Sequence, residues 1–228
     1  MLKILYEDNH LVFVDKPAGM LAQGDITGDL NVVDYLKAYR KKHENKPGEA
    51  FVGLVHRLDR PVSGVMVLAK TSKAAQRLNE AWHSPAVEKR YRAVVRCGGD
   101  LPSDDWETWH VRLRKDVKTN IVERLSVNDV SKDSQEAVLE IRTISRFKDQ
   151  AELEIRLGTG RGHQIRVQLA GRGLPIVGDL KYGSKMKLAD SRGHGRIALH
   201  AHYLRVPHPT LKTPVEVLAE LPPQWPGA

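Results

Sequence analysis

Two periodicities share this chain, a strict one-in-two alternation of apolar and polar positions and a looser helical spacing, and together they cut it into short elements. KILYE and HLVFVDKP read as two strands joined by a polar Asp8-Asn9 turn. NVVDYLKAYRKKHENKPG has helical spacing until Pro47 and Gly48, with Val33, Leu36 and Arg40 on one side. GVMVLAKT predicts a strand, and Thr71 or Ser72 supplies an N-cap for the helix KAAQRLNEAWH, which Pro85 stops. In VEKRYRAVVRC, residues Val87, Lys89, Tyr91, Ala93 and Val95 share one face, while Glu88, Arg90, Arg92 and Arg96 take the other. That is the alternation of a half-buried strand.

Residues 98–136 are polar and irregular, with strand-like TWHVRLRK and NIVERLSV forming a hairpin or an insertion. AVLEIRTISRF and AELEIRLG form an antiparallel pair with Leu153, Ile155 and Leu157 pointing one way. TGRGHQIRVQLAGRG is a glycine turn leading into a short helix, followed by LPIVGD and a late strand, IALHAHYLRV. Strands outnumber helices and do not alternate strictly with them. The expected fold is therefore α+β, with a mixed, mostly antiparallel sheet core and flanking helices. Repeats, low-complexity tracts and an interdomain linker are missing from the pattern, so residues 1–228 are expected to form a single domain.

Composition narrows the function classes. The one cysteine, Cys97, cannot form an internal disulfide and suits a reducing compartment. The N-terminal stretch carries charge every few residues and is not a signal peptide, and apolar runs such as VMVLA are too short to span a bilayer. The expectation is a soluble, cytoplasmic, monomeric protein with no membrane contact. Lys and Arg number 36 against 28 Asp and Glu, a net charge of +8 that favours a polyanionic partner. No acidic residue occurs from Ile155 through Gly178, where Arg156, Arg161, Arg166 and Arg172 all fall, so this half of the chain is expected to face phosphates.

The segment LVHRLDRPVSG places Asp59 between Arg57 and Arg60, with Pro61 and Gly64 flanking a turn. Taken alone, Asp59 is a turn aspartate satisfying backbone amides. Its likeness to a kinase HRD loop fails, because no DFG follows and no glycine-rich nucleotide loop precedes it. Tyr91 on the apolar face of its strand reads in the ordinary way as a core residue, and a residue stacking on a base would face inward as well. GTGRG lacks the spacing of a dinucleotide fingerprint; it reads as a loop closing a strand, and its turn with nearby arginines would also suit a phosphate. His194, His200, His202 and His208 have no cysteine or carboxylate completing a metal set, so no metal is assigned and packing or phosphate contact is expected of them. Trp106 and Trp109 are either a stacking platform or core anchors.

Taken in order, ILYEDNHLVFVDKPAGM, HRLDRPVSG, EKRYRAVV, GTGRGHQIRVQL, PIVGDLKYG and ALHAHYL resemble the RluA-type RNA pseudouridine synthase family, over about residues 3–220. The resemblance implies an enzyme that breaks the bond from ribose to uracil N1, turns the base and rejoins it through C5. Substrate and product are isomers, so no cofactor is implied. It also implies that Asp59 is the nucleophile, Tyr91 contacts the base, and Arg166 pairs with the nucleophile. Arg57 would fill the space left by a flipped nucleotide, and Arg60, Arg161, His163 and Gln164 are further candidates for RNA contact.

A buried carboxylate would have its pKa raised by desolvation, and a nearby guanidinium would compensate its charge. The implied partner is structured RNA, transfer or ribosomal. Two positions depart from the common pattern: Pro61-Val62 stands where many relatives have aspartate-threonine, and Gln168 where many have histidine. Relatives with a separate N-terminal RNA-binding domain carry residues ahead of the ILYED segment, and this sequence is expected to lack that domain. Two rival expectations are a non-catalytic RNA-binding or chaperone protein that keeps the fold, and a metal-dependent phosphate-ester hydrolase.

Overall fold

The computed structural model describes residues 2–44, 48–129, 131–189, 193, 195–211 and 213–227. Along the chain the elements are β1 (Lys3–Glu7), β2 (Leu11–Lys16), α1 (Val32–His43), β3 (Gly53–Leu54), β4 (Ser63–Ala69), α2 (Ser72–Ala81) and β5 (Glu88–Arg96). Then come β6 (Glu107–Asp116), β7 (Ile121–Leu125), β8 (Ser134–Phe147), β9 (Gln150–Leu157) and α3 (Gln164–Ala170). A 3-10 turn (Leu180–Tyr182) precedes β10 (Leu188–Ala189), β11 (Gly195–Arg196), β12 (Leu199–Pro207) and β13 (Pro214–Leu218). The mixed, mostly antiparallel α+β architecture is the one the alternation predicts. Two compact units are present: the first holds Met1–Lys89, Asp190–His194 and His200–Pro222, the second Arg90–Ala189, Gly195–Leu199 and Pro223–Ala228.

In the first unit β4 is central. β2 runs antiparallel along it from Leu11↔Ala69 to Lys16↔Gly64, and β1 closes that edge as a hairpin partner of β2. β3 pairs with the end of β4, and β12 pairs parallel with its beginning at His200↔Ser63 and Ala201↔Gly64. β13 then lines β12 antiparallel. Covered on both faces, all seven residues of β4 are buried. Each of its large apolar side chains contributes roughly 1.5–3 kcal/mol by leaving water.

Gly64 lies inside β4 and not beside the turn, as the sequence suggests; the turn is Asp59 to Val62, closed by the Val62 N–H donating to the Asp59 carbonyl at 3.0 Å. With φ +119°, a Cβ at Gly64 would sit 2.3 Å from the Ala201 oxygen, so only glycine lets β12 approach there.

Helix α1 is capped by Asn31, whose side chain accepts from the Asp34 N–H. That cap sets the phase, so Val32, Leu36 and Arg40 are buried, with Val32 replacing the expected Val33. The helix ends at His43, and residues 45–47, including Pro47, lie outside the described residues. In α2 the cap is Thr71, accepting from Ala74 N–H at 3.1 Å, and the helix closes at Ala81, ahead of Pro85.

The second unit is a meander in the order β5-β9-β8-β6-β7, antiparallel throughout. The irregular middle of the sequence resolves into the β6–β7 hairpin. Val111, Leu113, Val122 and Ala137 pack against Val167 of α3, with Tyr182 at their margin. Leu153 and Ile155 are fully buried, whereas Leu157, expected beside them, is half-buried at the strand end. Trp109 is a core residue, and Trp106 is half-buried with the guanidiniums of Arg156 and Arg142 at 3.9 and 4.8 Å from its ring centre. No helix among the described residues is long and apolar enough to cross a membrane.

Candidate active site

The HRLDR segment is anchored in the first unit by its alternate residues. The His56 Nε2 accepts the Val67 N–H at 3.0 Å, and its ring stacks on Trp82 with centroids 4.4 Å apart. Burial, and then the Lys89 ammonium, push the His56 pKa down to about 3, so the ring stays a neutral acceptor. The Lys89 Nζ in turn lies 5.7 Å from the Trp82 ring centre. Leu58 is buried, Arg57 is exposed and Asp59 is half-buried. The alternation thus drives His56 and Leu58 inward and holds the loop that carries Asp59.

The far side of that loop is fixed by Lys16, which the sequence reading passed over. It is fully buried, and its ammonium donates to the carbonyls of Pro17 at 3.0 Å, Met20 at 2.9 Å and Arg60 at 3.3 Å. Gly19 N–H also donates to the Arg60 carbonyl at 2.8 Å, and Arg60 Nε returns a bond to the Gly19 carbonyl at 3.0 Å. Arg60 further pairs with Asp29 at 2.7 Å. The residue following Asp59 is therefore tied by three bonds to the Lys16–Met20 turn. Burial pushes the Lys16 pKa down to about 7, against the pull of the Asp59 and Asp15 carboxylates in the other direction. The Lys16 amine is thus within electrostatic range of Asp59, and that carboxylate favours its charged form.

In the second unit Arg166 is buried on α3, its Nε and Nη2 forming a fork with Asp179 at 2.7 and 2.8 Å. Asp179 is 1% exposed, and the sequence reading named no role for it. It is the first carboxylate after an acid-free stretch carrying four arginines, which was the available signal. The Arg166 guanidinium lies 4.9 Å from the Tyr182 ring centre. The Tyr182 hydroxyl accepts Val122 N–H at 3.1 Å and meets His163 Nδ1 at 2.6 Å.

His163 holds φ 55°, the left-handed conformation that starts α3. Gln164 is buried with its amide fully engaged: Oε1 accepts from Thr159 Oγ1 and Arg161 N–H, and Nε2 donates to the Val138 carbonyl. Arg161 is exposed, its Nε donating to the Glu136 carbonyl at 3.0 Å. Tyr91 is half-buried on β5 opposite Ile155.

The structure thus groups Arg57, Asp59 and Arg60 on one loop of the first unit, and Arg161, His163, Gln164 and Arg166 on one turn and helix of the second. The acid-free stretch is less of a bare phosphate-facing surface than its composition predicts, because Arg156 packs on Trp106 and Arg166 is forked to Asp179. The late histidines are occupied in the first unit. His200 Nδ1 meets Ser63 Oγ at 2.8 Å, His202 Nδ1 donates to the Ala219 carbonyl at 2.8 Å, and His208 bridges Asp8 to the Leu211 N–H. His194 lies outside the described residues. Among the described residues no group of three or more His, Cys, Asp or Glu is placed to hold a metal ion.

Residues 10–171 match the family described as RNA pseudouridylate synthase. Ribosomal large subunit pseudouridine synthase D of Xanthomonas campestris is 37% identical over 97% of this chain, and that of Yersinia pestis 33% identical over 97%. The chain spans 66% and 67% of those two proteins, about two thirds of their length. Human RNA Pseudouridylate Synthase Domain Containing 4 superposes with a TM-score of 0.75 at 26% identity, covering 98% of this chain and 90% of that one. This match settles the lineage: the chain belongs to the RluA-type RNA pseudouridine synthase family.

Proposed function

We propose that the protein isomerises particular uridines of structured RNA to pseudouridine, with Asp59 as the nucleophile. The observation that supports this best is the fixed Asp59 loop, a half-buried carboxylate within electrostatic range of the buried Lys16 amine, on a backbone tied down at Arg60. A carboxylate nucleophile forms a covalent intermediate that divides the exchange of one ribose–uracil bond for another into two easier steps. The N1–C1′ bond breaks, the C5–C1′ bond forms, and the C5 proton is lost as N1 gains one, so the atoms balance without a cofactor. Tyr91 stacks on the extruded base, and Arg166, oriented by Asp179, supports the negative charge of the reacting groups. Because duplex geometry hides the reacting atoms, the target nucleotide flips out, and the exposed Arg57 takes its place in the stack.

The named functions of the relatives make large-subunit ribosomal RNA the first substrate to examine, with transfer RNA second. Incubating the protein with total RNA lacking modifications and mapping new pseudouridines tests the proposal. Conversion at one or a few sites is expected, and no conversion in any RNA class overturns it.

A further inference from the structure

The β6–β7 hairpin and the end of α3 bring two arginines together that the reaction does not use. Arg124, on β7, lays its side chain across the end of α3 and donates from Nη1 to the Gly171 carbonyl at 2.8 Å. Glycine makes this possible, since a Cβ at 171 would stand 3.0 Å from Arg124 Cδ and 3.3 Å from Nη1. The next residue, Arg172, holds its guanidinium carbon 4.0 Å from the centre of the Trp109 ring. Its backbone is fixed as well: Arg172 N–H donates to the Leu169 carbonyl at 3.0 Å, and a Cβ on Gly99 would come within 2.1 Å of the Arg172 oxygen.

Both arginines are exposed, and their partners among the described residues are a carbonyl and an indole ring, which leave each positive charge in place. Burial, and then the Arg124 charge, lower the Arg172 pKa, so the two cations feel each other. Glu107 is a carboxylate within electrostatic range of Arg172, and its oxygens already receive the Ser103 N–H and the Trp109 Nε1–H. A like-charged pair held rigid by neutral partners is relieved when an anion binds both members, and the planar guanidinium fork fits two oxygens of one phosphate.

We infer that Arg124 and Arg172 form a phosphodiester-binding pair through which the second unit grips the RNA backbone. The inference rests on the proposed RNA substrate and adds a contact that positions the RNA without touching the reacting uridine.

The test is a salt titration of binding to an unmodified transcript of large-subunit ribosomal RNA, using the whole chain with Arg124→Gln, Arg172→Gln and both. Each single variant should weaken binding about three- to ten-fold at low salt and reduce the slope of log affinity against log salt by about 0.7–0.9, one counterion's worth per lost phosphate contact. Turnover at saturating transcript should stay unchanged. Unchanged affinity and slope in the double variant overturn the inference, including in favour of an acidic protein partner for the pair.

If Arg172→Gln loosens the Trp109 core, seen as a lowered melting temperature, Arg124→Gln carries the test, because its guanidinium is held by the Gly171 carbonyl and not by the Trp109 ring. The binding arm needs no catalysis. A wild-type protein that binds the transcript with arginine-dependent affinity but converts no uridine sinks the catalytic proposal and leaves the pair standing.

Discussion

The Lys16 ammonium lies 3.3 Å from the carbonyl oxygen of Arg60, the residue that follows Asp59. A charged group inside the fold is costly unless it is satisfied, and this one is satisfied by three carbonyls from two separate turns. Two jobs meet in it: it ties the Asp59 loop to the KPAGM turn, and it places a titratable amine within electrostatic range of the carboxylate.

Replacing Lys16 with methionine keeps the apolar stem and strands those carbonyls, so the variant should lose about 1–3 kcal/mol at neutral pH in urea unfolding. The loss should depend on pH. Lysine ordinarily titrates near 10.5, and in the fold Lys16 titrates near 7. Between those values the unfolded chain holds a proton that the folded one has released, so the Lys16 contribution to stability rises with pH across that window. Below it both states are charged and the burial cost is present in full. The stability gap between wild type and Lys16→Met should therefore widen from pH 7 to pH 10. A gap that stays flat or narrows contradicts the assignment.

Asp179 holds Arg166 in a buried fork, and Asp179→Asn removes that carboxylate's charge from beside a guanidinium at 6% side-chain exposure. Stability should fall by about 3–5 kcal/mol. Uridine conversion by the folded fraction should fall too. Arg166→Lys should fail in the same direction, since an ammonium cannot make both bonds at once. Wild-type denaturation midpoints in both variants would show that the fork does not hold α3.

At Gly64 even one methyl group is too many. Gly64→Ala adds a Cβ 2.3 Å from the Ala201 oxygen and 2.5 Å from its nitrogen, at φ +119°. Both contacts are backbone and cannot swing away, so a loss of about 3 kcal/mol or more is expected from thermal or urea unfolding. A variant as stable as wild type would mean that β12 does not pair against this point of β4.

How much of this was legible in the sequence follows from where the information sits. Period-two alternation placed β5, β8 and β9 because one face of each is buried, and Thr71 located α2 because a cap is a local hydrogen bond. The α1 phase slipped by one residue because Asn31, and not the first valine, sets the helix start. β13 was missed because its Val-Glu-Val alternation is only three residues long and most of the strand is exposed or half-buried.

Asp59, Tyr91 and Arg166 came from the order of motifs, and no spacing rule would have singled them out. Lys16 and Asp179 escaped for a shared reason. Each is a charged residue whose partners lie far along the chain or on backbone carbonyls, and side-chain periodicity says nothing about those.

The most direct test of the central claim pairs the wild-type protein with Asp59→Asn on unmodified RNA, measuring pseudouridine by mass spectrometry and RNA affinity by filter binding in the same preparations. The substitution keeps shape and removes the charge of the nucleophile. Conversion should drop by about a thousand-fold or more, while affinity stays within a few-fold and the fold remains intact by circular dichroism. A folded Asp59→Asn protein that still converts uridine at a rate close to wild type would contradict the account.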